Sequence, residues 1–213
     1  MTCLRKYILR FWADRRGSAL VELSIVMPLL LLIVLGLVDY GRLYWNEVAA
    51  QKAAAIAART AALRAPVCEN VPSVIGAASA DVNAGTLCRQ GGACSVTLPP
   101  PCRLDQVDDY PLGKQTADEI WSRIRPLMPP NATRANVQLT YTNNSNIGFV
   151  GGPYSPVVTV ELVNMEFRFV SPLGSLAALA TTDSSFTSKP MTIPLPTMST
   201  SLPGEDMASG VGS

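Results

Sequence analysis

The chain is organised around the stretch Arg15-Arg16-Gly17-Ser18-Ala19-Leu20-Val21-Glu22 and the apolar run that follows it to Val38. From Ser18 to Val38 there are 21 residues, and Glu22 carries the only charge among them. A helix of that length covers about 30 Å, the thickness of the hydrocarbon core of a bilayer. We therefore predict a membrane-spanning helix over residues 18–40. Pro28 lies inside it, removes one backbone hydrogen bond and favours a kink.

Glu22 is the residue of this helix that makes its insertion into a membrane less favourable. A carboxylate at the centre of a membrane-spanning helix costs up to about 3 kcal/mol on insertion scales. Glu22 lies near one end, where the cost is smaller, but it still requires a counter-charge. Cleavage after Gly17 would give Ser18 a free ammonium group, one helical turn from Glu22. If the chain were cut there, Glu22 would become the partner of the new amino group.

These residues resemble a known type of processing site. Gly17 followed by Ser18, with Glu22 as the fifth residue after the glycine, is similar to the class III prepilin site of type IV-like pilins. Over residues 15–65 the chain resembles TadE-like minor pilins, or pseudopilins, of the tight-adherence system that builds Flp pili. Three strings carry this resemblance: 16–22, Pro28-Leu29-Leu30-Leu31-Leu32 and Gly36-Leu37-Val38-Asp39-Tyr40-Gly41-Arg42. Leu23 departs from the family, in which Tyr or Phe commonly follows the glutamate.

The resemblance implies a set of partners. A prepilin peptidase of the integral-membrane aspartyl type would remove the leader, residues 1–17. The mature chain would then join other pilin and minor pilin subunits at an inner-membrane assembly platform and enter an extracellular pilus for surface attachment. In that setting Glu22 would pair with the Ser18 ammonium of its own or a neighbouring subunit. The resemblance implies no cofactor.

The charges before the apolar run predict its orientation. Five of the six charged residues there are basic, and Asp14 is the exception: Arg5, Lys6, Arg10, Arg15 and Arg16. A basic flank favours retention on the cytoplasmic side. We predict a single-pass inner-membrane protein with a cytoplasmic N-terminus and a periplasmic C-terminal domain. The net charge of +1 argues against nucleic acid as a partner.

Two other functions remain open. The chain could be an uncleaved single-pass anchor that presents a periplasmic binding domain, since insertion into the membrane has the same physical basis with or without cleavage. It could also belong to a type II secretion pseudopilus, whose subunits, by resemblance, are cut before an aromatic residue. We expect no enzyme and no catalytic or metal site. The chain has no histidine for a Ser-His or Cys-His nucleophile and no phosphate-binding loop.

The cysteines predict cross-links in the exported part. Cys3 falls in the leader, and four others lie within 35 residues of one another: Cys68, Cys88, Cys94 and Cys102. In an oxidising compartment this pattern favours two disulfides, with three possible connectivities. Zinc or free thiols are the alternatives, although the chain has no Cys-x-x-Cys pair.

The exported part is predicted to be α+β, with a small antiparallel sheet. The membrane helix should continue as an alanine-rich extension, residues 41–65, followed by a disulfide-containing domain, 66–200, and a flexible tail, 201–213. The predicted elements within the domain are a short helix near 74–83, a helix opened by a capping box at 116–119, strands at 136–141 and 157–169, and an edge strand at 191–198. A bulge near 163–164 would place both apolar sets of the 157–169 strand on one face.

Overall fold

A computed structural model describes residues 18–90, 92–144, 146–170 and 192–205. The first described element is α1 (Ser18–Leu63), a helix of 46 residues that runs through Pro28 without interruption. Leucine and alanine, both strong helix formers, dominate its two halves. The helix ends three residues before Pro66, slightly earlier than the predicted end at Ala65. The predicted leader, residues 1–17, lies outside the described residues.

The chain divides into two compact units. The first consists of residues 1–43 and 168–191, of which 18–43 and 168–170 are described. The second consists of residues 44–167 and 192–213.

Short strands and a second helix follow α1. They are β1 (Gly76–Ala77), β2 (Cys94–Ser95), β3 (Cys102–Arg103) and α2 (Pro111–Ile124). Two 3-10 turns, Arg125–Leu127 and Arg134–Asn136, connect α2 to the remaining strands. These are β4 (Val137–Thr142), β5 (Val157–Leu162), β6 (Glu166–Arg168), β7 (Thr192–Pro194) and β8 (Met198–Pro203).

The principal sheet has four antiparallel strands in the order β3-β4-β5-β8. Leu139 lies opposite Val160 and Tyr141 opposite Val158, so apolar residues of β4 and β5 alternate onto one buried face. Two smaller antiparallel pairs, β1-β2 and β6-β7, complete the described strands. A long apolar helix followed by small antiparallel sheets confirms the predicted α+β class.

The part of α1 in the second unit is buried through small side chains. Eight alanines of this segment are at most 8% exposed: Ala49, Ala50, Ala53, Ala54, Ala57, Ala58, Ala61 and Ala62. Methyl side chains allow another segment to approach the helix closely, and the Glu205 amide reaches the Ala62 carbonyl at 3.0 Å. Gln51, Ala54 and Met198 line one groove, which places β8 beside the helix.

Helix α2 begins earlier than the predicted capping box. Pro111 is the first helical residue, a position where its missing N–H is not needed. Thr116 therefore lies inside the helix, and its hydroxyl donates to the Leu112 carbonyl at 3.3 Å instead of capping. The prediction that Thr116 starts the helix is wrong. Trp121 of this helix is half-buried, with the Arg125 guanidinium 5.9 Å from its ring centroid.

The helix predicted near 74–83 does not form. The backbone of this segment bonds to other segments: Gly76 pairs with Ser95, and the Ile75 amide donates to the Gly152 carbonyl at 3.0 Å. These bonds take up groups that a helix would have paired internally.

A turn replaces the predicted bulge between residues 157 and 169. Strand β5 ends at Leu162 and β6 begins at Glu166. Asn164 between them has φ of 53°, a left-handed conformation that asparagine tolerates and a strand does not. The side-chain amide of Asn136 stabilises the turn, because its Nδ2 donates to the carbonyls of Val163 and Asn164, both at 3.0 Å.

The C-terminal strand also differs from the prediction. Instead of one edge strand over 191–198, β7 is followed by β8, which pairs with β5 from Met198 to Pro203. Ser201 lies opposite Thr159, and their hydroxyls are 2.8 Å apart. The first three residues of the predicted tail, 201–203, thus belong to the sheet. Residues 206–213 lie outside the described residues.

The four cysteines of the second unit form two disulfides. Cys68 is bonded to Cys102 and Cys88 to Cys94, with Cα atoms 5.7 and 5.1 Å apart. One of the three possible connectivities is therefore selected. All four sulfurs are used, so no thiolates remain among them for zinc.

Two buried tyrosines differ in their hydrogen bonding. The Tyr141 hydroxyl accepts the Val67 amide at 2.9 Å, and burial raises the pKa of Tyr141 above its ordinary value. Burial also raises the pKa of Tyr154 to about 12. Within the described part of the chain, the Tyr154 hydroxyl has no hydrogen-bond partner. The Tyr141 hydroxyl thus satisfies a backbone amide, whereas the Tyr154 hydroxyl is buried with no hydrogen bond to offset its loss of water.

We expect the same substitution to act in opposite directions at these positions. Tyr141→Phe leaves the buried Val67 amide unsatisfied and should lower the free energy of unfolding by about 1–3 kcal/mol. Tyr154→Phe removes a buried hydroxyl that lacks a partner and should leave stability unchanged or raise it. Urea unfolding of the full chain in detergent, followed by circular dichroism, measures both. Equal destabilisation would contradict the roles assigned here.

The two disulfides should differ in their contribution to stability. Cys68–Cys102 joins residues 34 apart and Cys88–Cys94 residues 6 apart. In the chain-entropy model the longer loop contributes about 4 kcal/mol and the shorter about 2 kcal/mol. Urea unfolding of the Cys68→Ser, Cys102→Ser variant and of the Cys88→Ser, Cys94→Ser variant measures the difference. A larger loss from opening the 88–94 loop would contradict this expectation.

Candidate functional site

At the N-terminal end of the described part of α1, two of the predicted site residues stand one helical turn apart. The described helix starts at Ser18, and Glu22 follows four residues later, which is about 6 Å along the axis. Glu22 is exposed on the helix surface. Gly17, the other residue of the predicted cleavage site, lies outside the described residues.

The helix surface beyond Glu22 is apolar and exposed. Leu20, Ile25 and Leu37 are 72%, 69% and 68% exposed, and the residues between them are similarly uncovered. Within the described residues, α1 is the one helix long and apolar enough to cross a membrane. Such a surface is stable in contact with lipid or with other apolar helices.

Pro28 lies within this apolar part of the helix. It has no amide hydrogen to donate to the Ser24 carbonyl one turn earlier. The Ser24 hydroxyl donates to the Val21 carbonyl at 2.7 Å, a local bond of the type that often bends helices. Pro28 and Ser24 therefore mark the point in the apolar segment where the backbone ladder is weakest.

Asp39 is a site residue that the sequence analysis did not single out. Its side chain is 2% exposed, although it directly follows the apolar run. Its Oδ1 accepts Nη1 of Arg42 at 3.2 Å and the backbone amide of Val170, also at 3.2 Å. An acid three residues before an arginine was a local signal for the ion pair. The bond to Val170 crosses 131 residues of sequence, and no local pattern indicates it.

The remaining predicted site residues take no part in this arrangement. The four disulfide cysteines belong to the second unit, whereas Ser18, Glu22, Pro28 and Asp39 belong to the first. The candidate site is thus one helix with an acid near each end of its apolar run. Glu22 lies near the first end, and Asp39 fastens the segment 168–170 near the second.

We expect Asp39 to protect the Val170 amide from solvent exchange. Asp39→Ala removes the acceptor and should speed hydrogen–deuterium exchange of that amide by more than about tenfold, if the bond is worth about 1.5 kcal/mol or more. Arg42→Ala is the control, since it removes the ion pair but leaves the acceptor, and should have a smaller effect. Mass spectrometry of peptides covering Val170 measures both. Equal exchange in the wild type and in Asp39→Ala would contradict this role.

Comparison with known proteins bears on this helix. A family model described as TadE-like protein matches residues 17–59, about a fifth of the chain. No curated protein and no solved structure is significantly similar to the chain. The matched range begins at Gly17 and includes Glu22, Pro28 and Asp39. The N-terminal helix of this chain is therefore TadE-like, as its sequence resemblance indicated, and this points to a pilus-associated protein of the Tad system.

Proposed function

We propose that this chain is a minor pilin, or pseudopilin, that takes part in the assembly of Flp-type pili. A prepilin peptidase cuts between Gly17 and Ser18, and the mature helix crosses the inner membrane with its N-terminus toward the cytoplasm. The second unit lies in the periplasm. The role is structural and not enzymatic, and it serves surface attachment through the pilus.

One observation carries this proposal. Ser18 and Glu22 stand one turn apart at the start of an exposed apolar helix, and the TadE-like match begins at the residue before Ser18. An uncleaved anchor would also contain such a helix, but the start of the match at Gly17 favours the processed form. Cleavage after Gly17 would create a positive charge one helical turn from Glu22.

The charge created by cleavage explains how assembly could be selective. A carboxylate in an apolar environment is costly without a partner, and a nearby ammonium group offsets part of that cost. The Ser18 ammonium of the same or a neighbouring subunit could supply it. Because the pair forms over a short distance, it fixes the axial register between adjacent helices. Such a pair contributes specificity as well as stability.

The second unit suits a tip, initiation or accessory position. By resemblance, the major Flp subunits are far smaller than this chain of 213 residues. Two disulfides and a four-stranded sheet support a domain that withstands export and exposure. Its partners would be other pilin and minor pilin subunits and the inner-membrane assembly platform.

The N-terminus of the isolated protein tests the proposed processing. In cells with an active prepilin peptidase, intact-mass spectrometry should show a chain that begins at Ser18. An isogenic strain without the peptidase should give the chain with residues 1–17 attached. A chain that retains residues 1–17 in both strains would support the uncleaved anchor.

Glu22→Gln tests the proposed role of the carboxylate. The variant keeps the size of the side chain and should insert and be cleaved normally, while piliation falls by about tenfold or more through loss of the charge pair. Glu69→Gln, an exposed acid of the second unit, is the matched control and should leave piliation unchanged. Electron microscopy of shed pili and fractionation of membranes measure the two effects. Normal piliation in Glu22→Gln would refute the assembly role.

A further inference from the structure

A short segment of the chain returns to the end of the apolar helix. Residues 168–170 belong to the same compact unit as residues 18–43. The Val170 amide donates to Asp39 Oδ1 at 3.2 Å, and Arg42 donates to the same oxygen. Asp39 is buried, so the acceptor end of this part-buried bond is shielded from solvent. The segment is therefore held to the helix by a charge-assisted hydrogen bond.

The position of Asp39 along the helix sets the level of this contact. It lies 21 residues after Ser18, which is about 32 Å along the axis. The hydrocarbon core of a bilayer is about 30 Å thick. In a helix that crosses the membrane from Ser18, Asp39 thus lies where acyl chains give way to lipid headgroups. The Val170 amide, bonded to it, lies at that level too.

The side chains around this contact match the chemistry of that layer. Val170 is 73% exposed, and Tyr40, next to Asp39, is 66% exposed. Arg168 is exposed and Arg42 is 46% exposed. Apolar and aromatic groups beside arginines are typical of the membrane–water interface, where the arginines can reach lipid phosphates.

We propose that residues 168–170 form a second membrane contact, in which Val170 inserts at the boundary between the acyl chains and the headgroups of the periplasmic leaflet. Arg42 and Arg168 approach the phosphates of the same lipids. The occupant is the phospholipid interface, because the exposed apolar surface of α1 continues through Leu37, Val38 and Tyr40 up to the level of Val170. The inference rests on the proposed insertion of α1 into the membrane. It adds that the protein is anchored by two separate parts of its chain.

Anchoring at two points has a consequence for the helix. A single spanning helix can shift in depth and rotate about its axis at modest cost. A side contact at the headgroup level opposes both motions, since either would pull Val170 into water or the arginines into hydrocarbon. The contact would therefore set the depth and the rotation at which Glu22 is presented to a neighbouring subunit.

Depth-dependent quenching in reconstituted vesicles tests this inference. The full chain, with Cys3→Ser, carries a single added thiol, either Val170→Cys or Leu30→Cys, labelled with an environment-sensitive fluorophore. The vesicles contain phosphatidylethanolamine and phosphatidylglycerol with a nitroxide near the glycerol backbone or near the end of the acyl chain. Position 30 reports insertion of the helix, and position 170 reports the second contact.

We expect the shallow nitroxide to quench position 170 about twofold more strongly than the deep one, and the reverse at position 30. Quenching at position 30 with none at position 170 would overturn the second contact and leave the membrane helix standing. Absence of quenching at position 30 would remove the membrane helix and, with it, this inference. If the emission at position 170 changes only with the protein-to-lipid ratio, a second copy of the chain covers Val170, and the lipid assignment is wrong.

Asp39→Ala in the same labelled chains tests what holds the segment. Quenching at position 170 should fall about twofold or more, while quenching at position 30 is unchanged. The retained signal at position 30, together with an unchanged circular dichroism spectrum, shows that the variant still folds and inserts. Full quenching at position 170 in Asp39→Ala would overturn the role of Asp39 as the anchor of the segment.

Discussion

An ionised carboxylate on a helix that faces lipid needs an opposite charge or hydrogen-bond donors beside it. Helix α1 has two such acids, one near each end of its apolar run. Asp39 obtains its donors within the folded chain, from Arg42 and from the Val170 amide. For Glu22 we propose a donor that exists only after cleavage, the Ser18 ammonium. The same physical requirement is met within the folded chain at one end and, in our proposal, by a neighbouring charge during assembly at the other.

The second unit is held together by close packing against its alanine-rich helical segment and by two disulfides. Its helical segment presents methyl groups in place of large side chains, and its sheet contributes the bulkier ones, such as Leu139, Val160 and Leu162. In the described region between α1 and α2, the strands are two residues long and a small apolar cluster forms around Ile75 and Cys88. The Cys68–Cys102 and Cys88–Cys94 bonds order this region by restricting its unfolded conformations.

The sequence was informative where a pattern is local. The apolar run, the alanine-rich extension and the alternation in β4 each follow from a repeat that a few neighbouring residues define. Long-range contacts could not be predicted in this way. The Asn136 side-chain amide bonds to the Asn164 carbonyl, Ser201 of β8 lies opposite Thr159 of β5, and Asp39 accepts the Val170 amide. In each case the partner lies more than 25 residues away, and only the folded chain brings it near.

The bond between Asp39 and Val170 also constrains the order in which the chain can fold. The helix is synthesised early, whereas residue 170 is added only when about four-fifths of the 213 residues have been made. Until then Asp39 has Arg42 beside it, and the bond to the Val170 amide cannot form. The complete first unit therefore arises late, after most of the chain has been synthesised. A truncated or stalled chain would carry an intact apolar helix and still lack the arrangement that completes it.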